Sequence, residues 1–267
     1  MLKLKRFLYN HSFGISLLPI YLAVNISNKC NRSCNFCPYH SKYLKENEHT
    51  RWVKRQSDYL NYKLFENWIK KLGIFRKLIK HIAITGKGEP TMHKSFFNFC
   101  MILEKYKIPF SLTTNGDIIK KDYCFQSYLF YFKYLTEIRI SLYETDGSDL
   151  WLSLSRSYPQ ITLYNQTGKE LKGIKTGYKV VNEGTEQFST VSKNFNKIDS
   201  CQAPFTFMTI NTDGSIVPCY SYYEIGNIYQ PFLKIWNGIK IRTFRKMALK
   251  MNTEKSDCLN CGICLKR

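Results

Sequence analysis

Three short stretches of the chain alternate an apolar face with a small or polar one, the period of a β-strand whose two sides meet different surroundings. In Tyr21–Ser27 the apolar face is Leu22, Val24 and Ile26, opposite Tyr21, Ala23, Asn25 and Ser27. In His81–Thr85, Ile82 and Ile84 stand against His81, Ala83 and Thr85; in Glu137–Leu142, Ile138, Ile140 and Leu142 stand against Glu137, Arg139 and Ser141. A strand covered by helices outside and facing a polar cavity inside has this pattern, and so does a half-solvated antiparallel sheet. The material between the strands separates the two. It predicts helices over Tyr59–Arg76, His93–Tyr106 and Asp117–Phe132, and a repeating strand–helix order favours an α/β fold of parallel strands. In barrels of that kind the reactive groups lie in the loops after the C-terminal strand ends.

Beyond Tyr143 the periodicity weakens, with turn signals at Gly168 and Gly173 within Leu163–Thr176 and a last short strand expected at Tyr178–Val181. From Cys201 the character changes. A hairpin is expected, Phe205–Ile210 and Ser215–Val217 turned by Thr212-Asp213-Gly214, then a helix over Pro231–Met251 and a terminal group of cysteines. We therefore expect an N-terminal extension at 1–17, a barrel domain at 18–195 and a small C-terminal domain at 196–267.

A length of 267 residues with 44% apolar residues allows one sizeable domain plus an appendage. Such a chain needs no disulfides to stabilise its core, so its ten cysteines point to metal or cluster chemistry. The basic start is interrupted by Asn10, His11, Ser12 and Pro19, and no apolar run reaches transmembrane length, which predicts a cytoplasmic protein. The net charge of +20 would suit an anionic substrate or surface. Both ends are basic without a clean basic block: residues 1–60 hold ten Lys and Arg against three acidic residues, and residues 231–267 hold nine against two. Biased residue usage on a solvated surface explains the charge equally.

Cys30, Cys34 and Cys37 stand at C-x3-C-x2-C directly after the first strand. Three thiolates on one loop suit a cubane iron–sulfur cluster, ligating three irons and leaving the fourth open. A zinc site completed by His40 is the alternative. The segment NKCNRSCNFCPYH resembles the cluster loop of the radical S-adenosylmethionine (SAM) superfamily. In that family the open iron chelates the methionine end of SAM, and the aromatic residue before the third cysteine, here Phe36, packs near the adenine. Thr85-Gly86-Lys87-Gly88-Glu89-Pro90 resembles the family's glycine-rich GGEP-type turn. The resemblance implies that Gly86, Gly88, Glu89 and Pro90 receive the SAM ammonium, with glycines admitting the main chain close to the ligand. Lys87 replaces a small residue there and is expected to point to solvent. Thr113-Thr114-Asn115-Gly116 and Arg139-Ile140-Ser141-Leu142 resemble the family's TNG-type turn and I-x-I-S-L strand, which implies SAM contacts for Asn115 and Ser141. The fold implied is a partial (β/α)6 TIM-like barrel.

The hairpin with Cys201, Cys219 and the run Cys258-x2-Cys261-x2-Cys264 resembles the auxiliary-cluster modules called SPASM and, in shorter form, twitch. Five cysteines fit the twitch form, and the match selects Cys201, Cys219, Cys258 and Cys261 as ligands of one [4Fe–4S] cluster, with Cys264 as the alternative. A structural zinc on four of these thiolates is the competing assignment. Cys100 and Cys124 are expected to be packing residues.

The resemblance implies two [4Fe–4S] clusters, SAM, and an electron donor such as flavodoxin or ferredoxin. It implies reductive cleavage of SAM to a 5′-deoxyadenosyl radical that takes hydrogen from the substrate. Oxidation or epimerisation of a carbohydrate-type alcohol, with the auxiliary cluster accepting an electron, is the first expectation. Modification of a peptide or protein side chain is the second, and a basic zinc protein that binds nucleic acid is a distant third. For the first two no nucleic acid is expected. Arg139, Tyr143 and Glu144, at or near a strand end, are candidates for base or substrate anchor.

Overall fold

In the computed structural model of the protein, the described residues are 20–35, 37, 39–43, 46, 48–142, 148–165, 180–182, 203–218 and 223–249. The strands are β1 (Ile20–Val24), β2 (Ile79–Ile84), β3 (Phe110–Thr114), β4 (Leu135–Leu142), β5 (Ile161–Asn165), β6 (Val180–Asn182), β7 (Phe207–Ile210), β8 (Ser215–Val217) and β9 (Gly226–Asn227). They form one sheet in the order β6-β5-β4-β3-β2-β1-β7-β8-β9. The pairs from β6 to β1 are parallel, as the strand–helix alternation predicts. β7 adds to the free side of β1, also parallel, and β8 and β9 follow antiparallel. The C-terminal hairpin therefore extends the barrel sheet itself.

The helices are α1 (Glu48–Lys54), α2 (Tyr62–Lys71), α3 (Phe96–Lys105), α4 (Asp117–Lys121), α5 (Tyr123–Leu129), α6 (Ser148–Ser157), α7 (Ala203–Thr206), α8 (Phe232–Trp236) and α9 (Ile239–Leu249). In α2, Phe65, Trp68 and Ile69 recur at helical spacing and are buried, and the Asn61 side chain caps the start by accepting from Lys63 N at 2.9 Å. The outer faces of the strands, among them Leu22, Val24, Ile82, Ile84, Leu112, Ile138 and Ile140, share one core with Phe96, Phe99 and Leu103 of α3. The opposite face is polar or small as expected, and His81, Ala83, Thr113, Glu137, Arg139 and Ser141 are only half-buried. The barrel interior is accordingly lined by polar and small side chains, with Ala23, Asn25, Ser27 and Ser111 fully buried among them.

Several boundaries differ from the sequence expectation. The predicted helix Asp117–Phe132 is two, because Asp122 leaves helical geometry and its carboxylate accepts from Phe125 N at 3.0 Å, starting a new helix. Pro231–Met251 breaks at Asn237 and Gly238. Residues 59–61 are extended, Ser27 pairing with Tyr59, and Gly73–Leu78 is 3₁₀ rather than α. The weakly patterned stretch after Tyr143 contains α6 and the strand β5. Cys100 is fully buried as expected, whereas Cys124 is exposed and is not a packing residue.

Candidate functional site

The predicted motifs converge in the loops after β1, β2 and β3. Cys30, Cys34 and Cys37 are half-buried on the loop following β1. Burial pushes the Cys30 and Cys34 thiols up, and the negative charge of neighbouring thiolates pushes the same way. Their sulfurs already accept backbone N–H groups: Arg32 N on Cys30 Sγ at 3.4 Å, and Tyr39 N and His40 N on Cys37 Sγ at 3.4 and 3.3 Å. A set of clustered thiolates that repel one another and accept main-chain donors fits a cationic iron–sulfur core, which supplies the missing positive charge. Among the described residues no three His, Cys, Asp or Glu side chains are already gathered around a single-ion site. The His40 Nε2 is buried without a hydrogen-bond partner among the described residues, and burial lowers the pKa of the imidazole.

The turn after β2 continues strand pairing into the cysteine loop. Lys87 N donates to Asn25 Oδ1 at 3.2 Å, Gly88 N to Ser27 O at 3.0 Å, and Glu89 N to Lys29 O at 2.7 Å. A Cβ on Gly88 would collide with the Lys29 and Ser27 carbonyls, and Gly86, at φ 144°, would drive one into the Asn25 side chain. The glycines are thus required by the approach of the cysteine loop.

Glu89 is buried, and its carboxylate is the hub of the site. Oε1 accepts from Thr91 N (3.1 Å), Thr91 Oγ1 (2.6 Å) and Thr114 Oγ1 (2.6 Å), and Oε2 from Asn115 N (2.8 Å). Burial pushes its acidity down, raising the pKa, while these donors pull the other way. Pro90 opens the short 3₁₀ turn that Glu89 caps. Asn115, also buried, donates to Asn31 Oδ1 at 2.8 Å. Beside it Asp117 accepts from Arg32 Nε at 2.7 Å and Nη2 at 2.6 Å and from Asn31 at 2.8 Å, holding its carboxyl below the usual carboxylate range. The cysteine loop is therefore tied to the turns after β2 and β3. Asn25, Asn31, Arg32 and Asp117 escaped the sequence reading, although Asn31 and Arg32 lie within the cysteine motif itself.

On the inner face of β4, Arg139 donates through Nε and Nη2 to Glu137 Oε2 at 2.9 and 2.8 Å and lies 5.9 Å from the Tyr164 ring. His81 Nε2 and Ser111 Oγ are 2.9 Å apart in the same interior. Ser141 follows Arg139 on the same face of β4 and is half-buried. Phe36, Tyr143, Glu144, Cys201, Cys219, Cys258, Cys261 and Cys264 lie outside the described residues.

Lys87 corrects the expectation of a solvent-facing side chain. Its Nζ lies 4.0 Å from the centre of the Trp52 ring and donates to Gln56 Oε1 at 2.8 Å and Asn211 Oδ1 at 3.1 Å. Burial lowers its pKa to about 7, against the opposing pull of Asp213 and Glu224.

The family model of the radical SAM superfamily matches residues 24–135, and that of an iron–sulfur cluster-binding domain, SPASM, matches residues 201–262. An S-adenosyl-L-methionine-dependent 2-deoxy-scyllo-inosamine dehydrogenase from Niallia circulans is 22% identical over 251 residues, spanning 90% of this chain and 92% of its own. Two solved structures share the fold. BtrN in complex with AdoMet and 2-DOIA superposes with a TM-score of 0.63 at 18% identity, covering 88% of this chain and 89% of BtrN. Streptococcus suis SuiB bound to S-adenosylmethionine gives 0.60 at 18%, covering 97% of this chain and 72% of SuiB.

Proposed function

Because the chain is a radical SAM protein, with the superfamily's domain at residues 24–135 and a SPASM domain at 201–262, we propose that it oxidises an alcohol of a carbohydrate-like small molecule, an aminocyclitol or related polyol. The observation that supports this reading most is the joint arrangement of the first three strand ends: the cysteine loop, the Glu89 hub and Asn115 meet in one bonded unit beside the polar face of the sheet. A [4Fe–4S] cluster held by Cys30, Cys34 and Cys37 would supply the electron that cleaves SAM to a 5′-deoxyadenosyl radical. Gly86, Gly88, Glu89 and Pro90 would form the seat of the SAM methionine, with Phe36, Asn115 and Ser141 lining the remainder. Glu89 owes its orientation there to Thr91 and Thr114.

Alcohol oxidation removes a hydrogen atom from carbon, a proton from oxygen and one further electron, leaving a ketone. In this reading Arg139, steadied by Glu137, anchors the substrate oxygen, while Tyr143 and Glu144 are the nearby candidates for the proton acceptor. Cys201, Cys219, Cys258 and Cys261, with Cys264 as the alternative, would hold the centre that takes the electron. The domain division near residue 195, a cytoplasmic location and an acidic flavodoxin- or ferredoxin-like donor attracted to the +20 chain belong to the same proposal.

The fold shared with SuiB, solved also with the precursor peptide SuiA, favours peptide modification as the second reading. Incubating the anaerobically reconstituted protein with SAM, dithionite and 2-deoxy-scyllo-inosamine or related polyols separates them. The expected result is 5′-deoxyadenosine together with a product two mass units lighter than the alcohol. Turnover of peptides alone would overturn the first reading.

A further inference from the structure

Lys87 stands between the two glycines of its turn, and its half-buried amine is partly stripped of water there. A side chain such as methionine would fill a similar space without that desolvation. What the amine gains is a set of partners from two distant parts of the chain. Trp52 and Gln56 belong to α1 and the residues just after it, and Asn211 follows β7 in the SPASM-matched region. Trp52 in turn donates through Nε1 to Glu224 Oε1 at 2.9 Å, beyond β8.

The same junction carries further bonds between the cysteine loop and the hairpin turn. Asn25 N donates to Ile210 O at 2.8 Å, and Asn28 Nδ2 donates to Thr212 Oγ1 at 2.9 Å. Asn25, Asn211 and Thr212 are all buried. Asn211 is fixed from its own side by Ser215, whose Oγ accepts from Asn211 Nδ2 at 3.1 Å and whose carbonyl accepts from Asn211 N at 2.9 Å. Lys87 therefore meets a rigid acceptor, and its own backbone N–H is bonded to Asn25 Oδ1, at the end of the strand that leads into the cysteine loop.

We propose that Lys87 is a positioning residue that latches the β7–β8 hairpin onto the loop of Cys30, Cys34 and Cys37. Through it the C-terminal domain is held in one orientation to the SAM site. Nζ reaches both oxygens whether it carries two hydrogens or three, so the latch stays closed across neutral pH. The assignment is independent of the substrate and its test involves no turnover.

Hydrogen–deuterium exchange of the reconstituted protein, read by mass spectrometry, decides it. Lys87→Met and Asn211→Leu should each speed exchange about tenfold in residues 25–29 and 210–216 together, and the double variant should add nothing further. Asn211→Asp places a carboxylate against the amine and should slow exchange at both segments. A lysine that only fills space predicts otherwise: a change confined to residues 85–89, or an Asn211→Asp as damaging as Asn211→Leu, overturns the latch. Should Lys87→Met fail to fold, the opposite signs of the two Asn211 variants still decide.

Discussion

The gathering of Cys30, Cys34 and Cys37 on one loop was legible from sequence because all three lie within eight consecutive residues. The environment of Lys87 was not. Its partners Gln56 and Asn211 stand 31 and 124 positions away, and nothing in a G-K-G-E-P turn says which side of the turn is buried. The same holds for Glu89, whose Thr114 and Asn115 partners come from the next strand. Lys87 also makes a titration prediction. Its pKa falls from 10.5 to about 7 on folding because burial disfavours the ammonium. Between those values the unfolded chain holds a proton that the folded chain has lost. Stability should therefore rise as pH increases from about 7 to about 10.5, by up to about 5 kcal/mol relative to Lys87→Met. Urea unfolding of both proteins across that range measures it; parallel pH profiles would mean that the amine is solvated.

At the scale of elements, strands were read more surely than helices. The inner polar and outer apolar faces of β1, β2 and β4 came through because period two needs only a few residues to show. Helix ends were overrun where the chain keeps apolar spacing across a break. Asp122 was a readable N-cap and Gly238 a readable stop, yet flanking apolar residues suggested continuity at both. The strand β5 is only five residues long, with Ile161 and Leu163 as its apolar positions, and follows α6 after three residues. The turn after β2 gives the sharpest element-level prediction. Gly88→Ala must displace the Lys29 or Ser27 carbonyl, at a cost of about 1–3 kcal/mol and with the cysteine loop moved. Iron content after anaerobic reconstitution should fall well below wild type; full iron loading would show that the loop yields without losing its ligand geometry.

For the whole molecule, the parallel barrel sheet followed from strand–helix alternation, but the seam between β1 and the C-terminal hairpin did not. β7 pairs with β1 in the register Leu22↔Met208, a contact between chain segments that share no local pattern. The C-terminal hairpin thereby serves as a seventh parallel strand, with Met208, Ile210 and Ile216 in the same core as Leu22 and Val24. The SPASM-matched segment thus begins within the sheet whose first three strands lead into the cysteine loop and the turns at Glu89 and Asn115, and Lys87 and Asn28 bridge the same seam. The central claim is that this one sheet supports two clusters, of which the Cys30, Cys34 and Cys37 cluster cleaves SAM. Iron, sulfide and zinc analysis of the anaerobically reconstituted protein and its Cys30→Ala, Cys34→Ala, Cys37→Ala triple variant, followed by SAM and dithionite, tests it directly. The account predicts about eight irons in the wild type, about four in the variant, and 5′-deoxyadenosine from the wild type alone. A colourless protein that carries zinc and leaves SAM intact would contradict it.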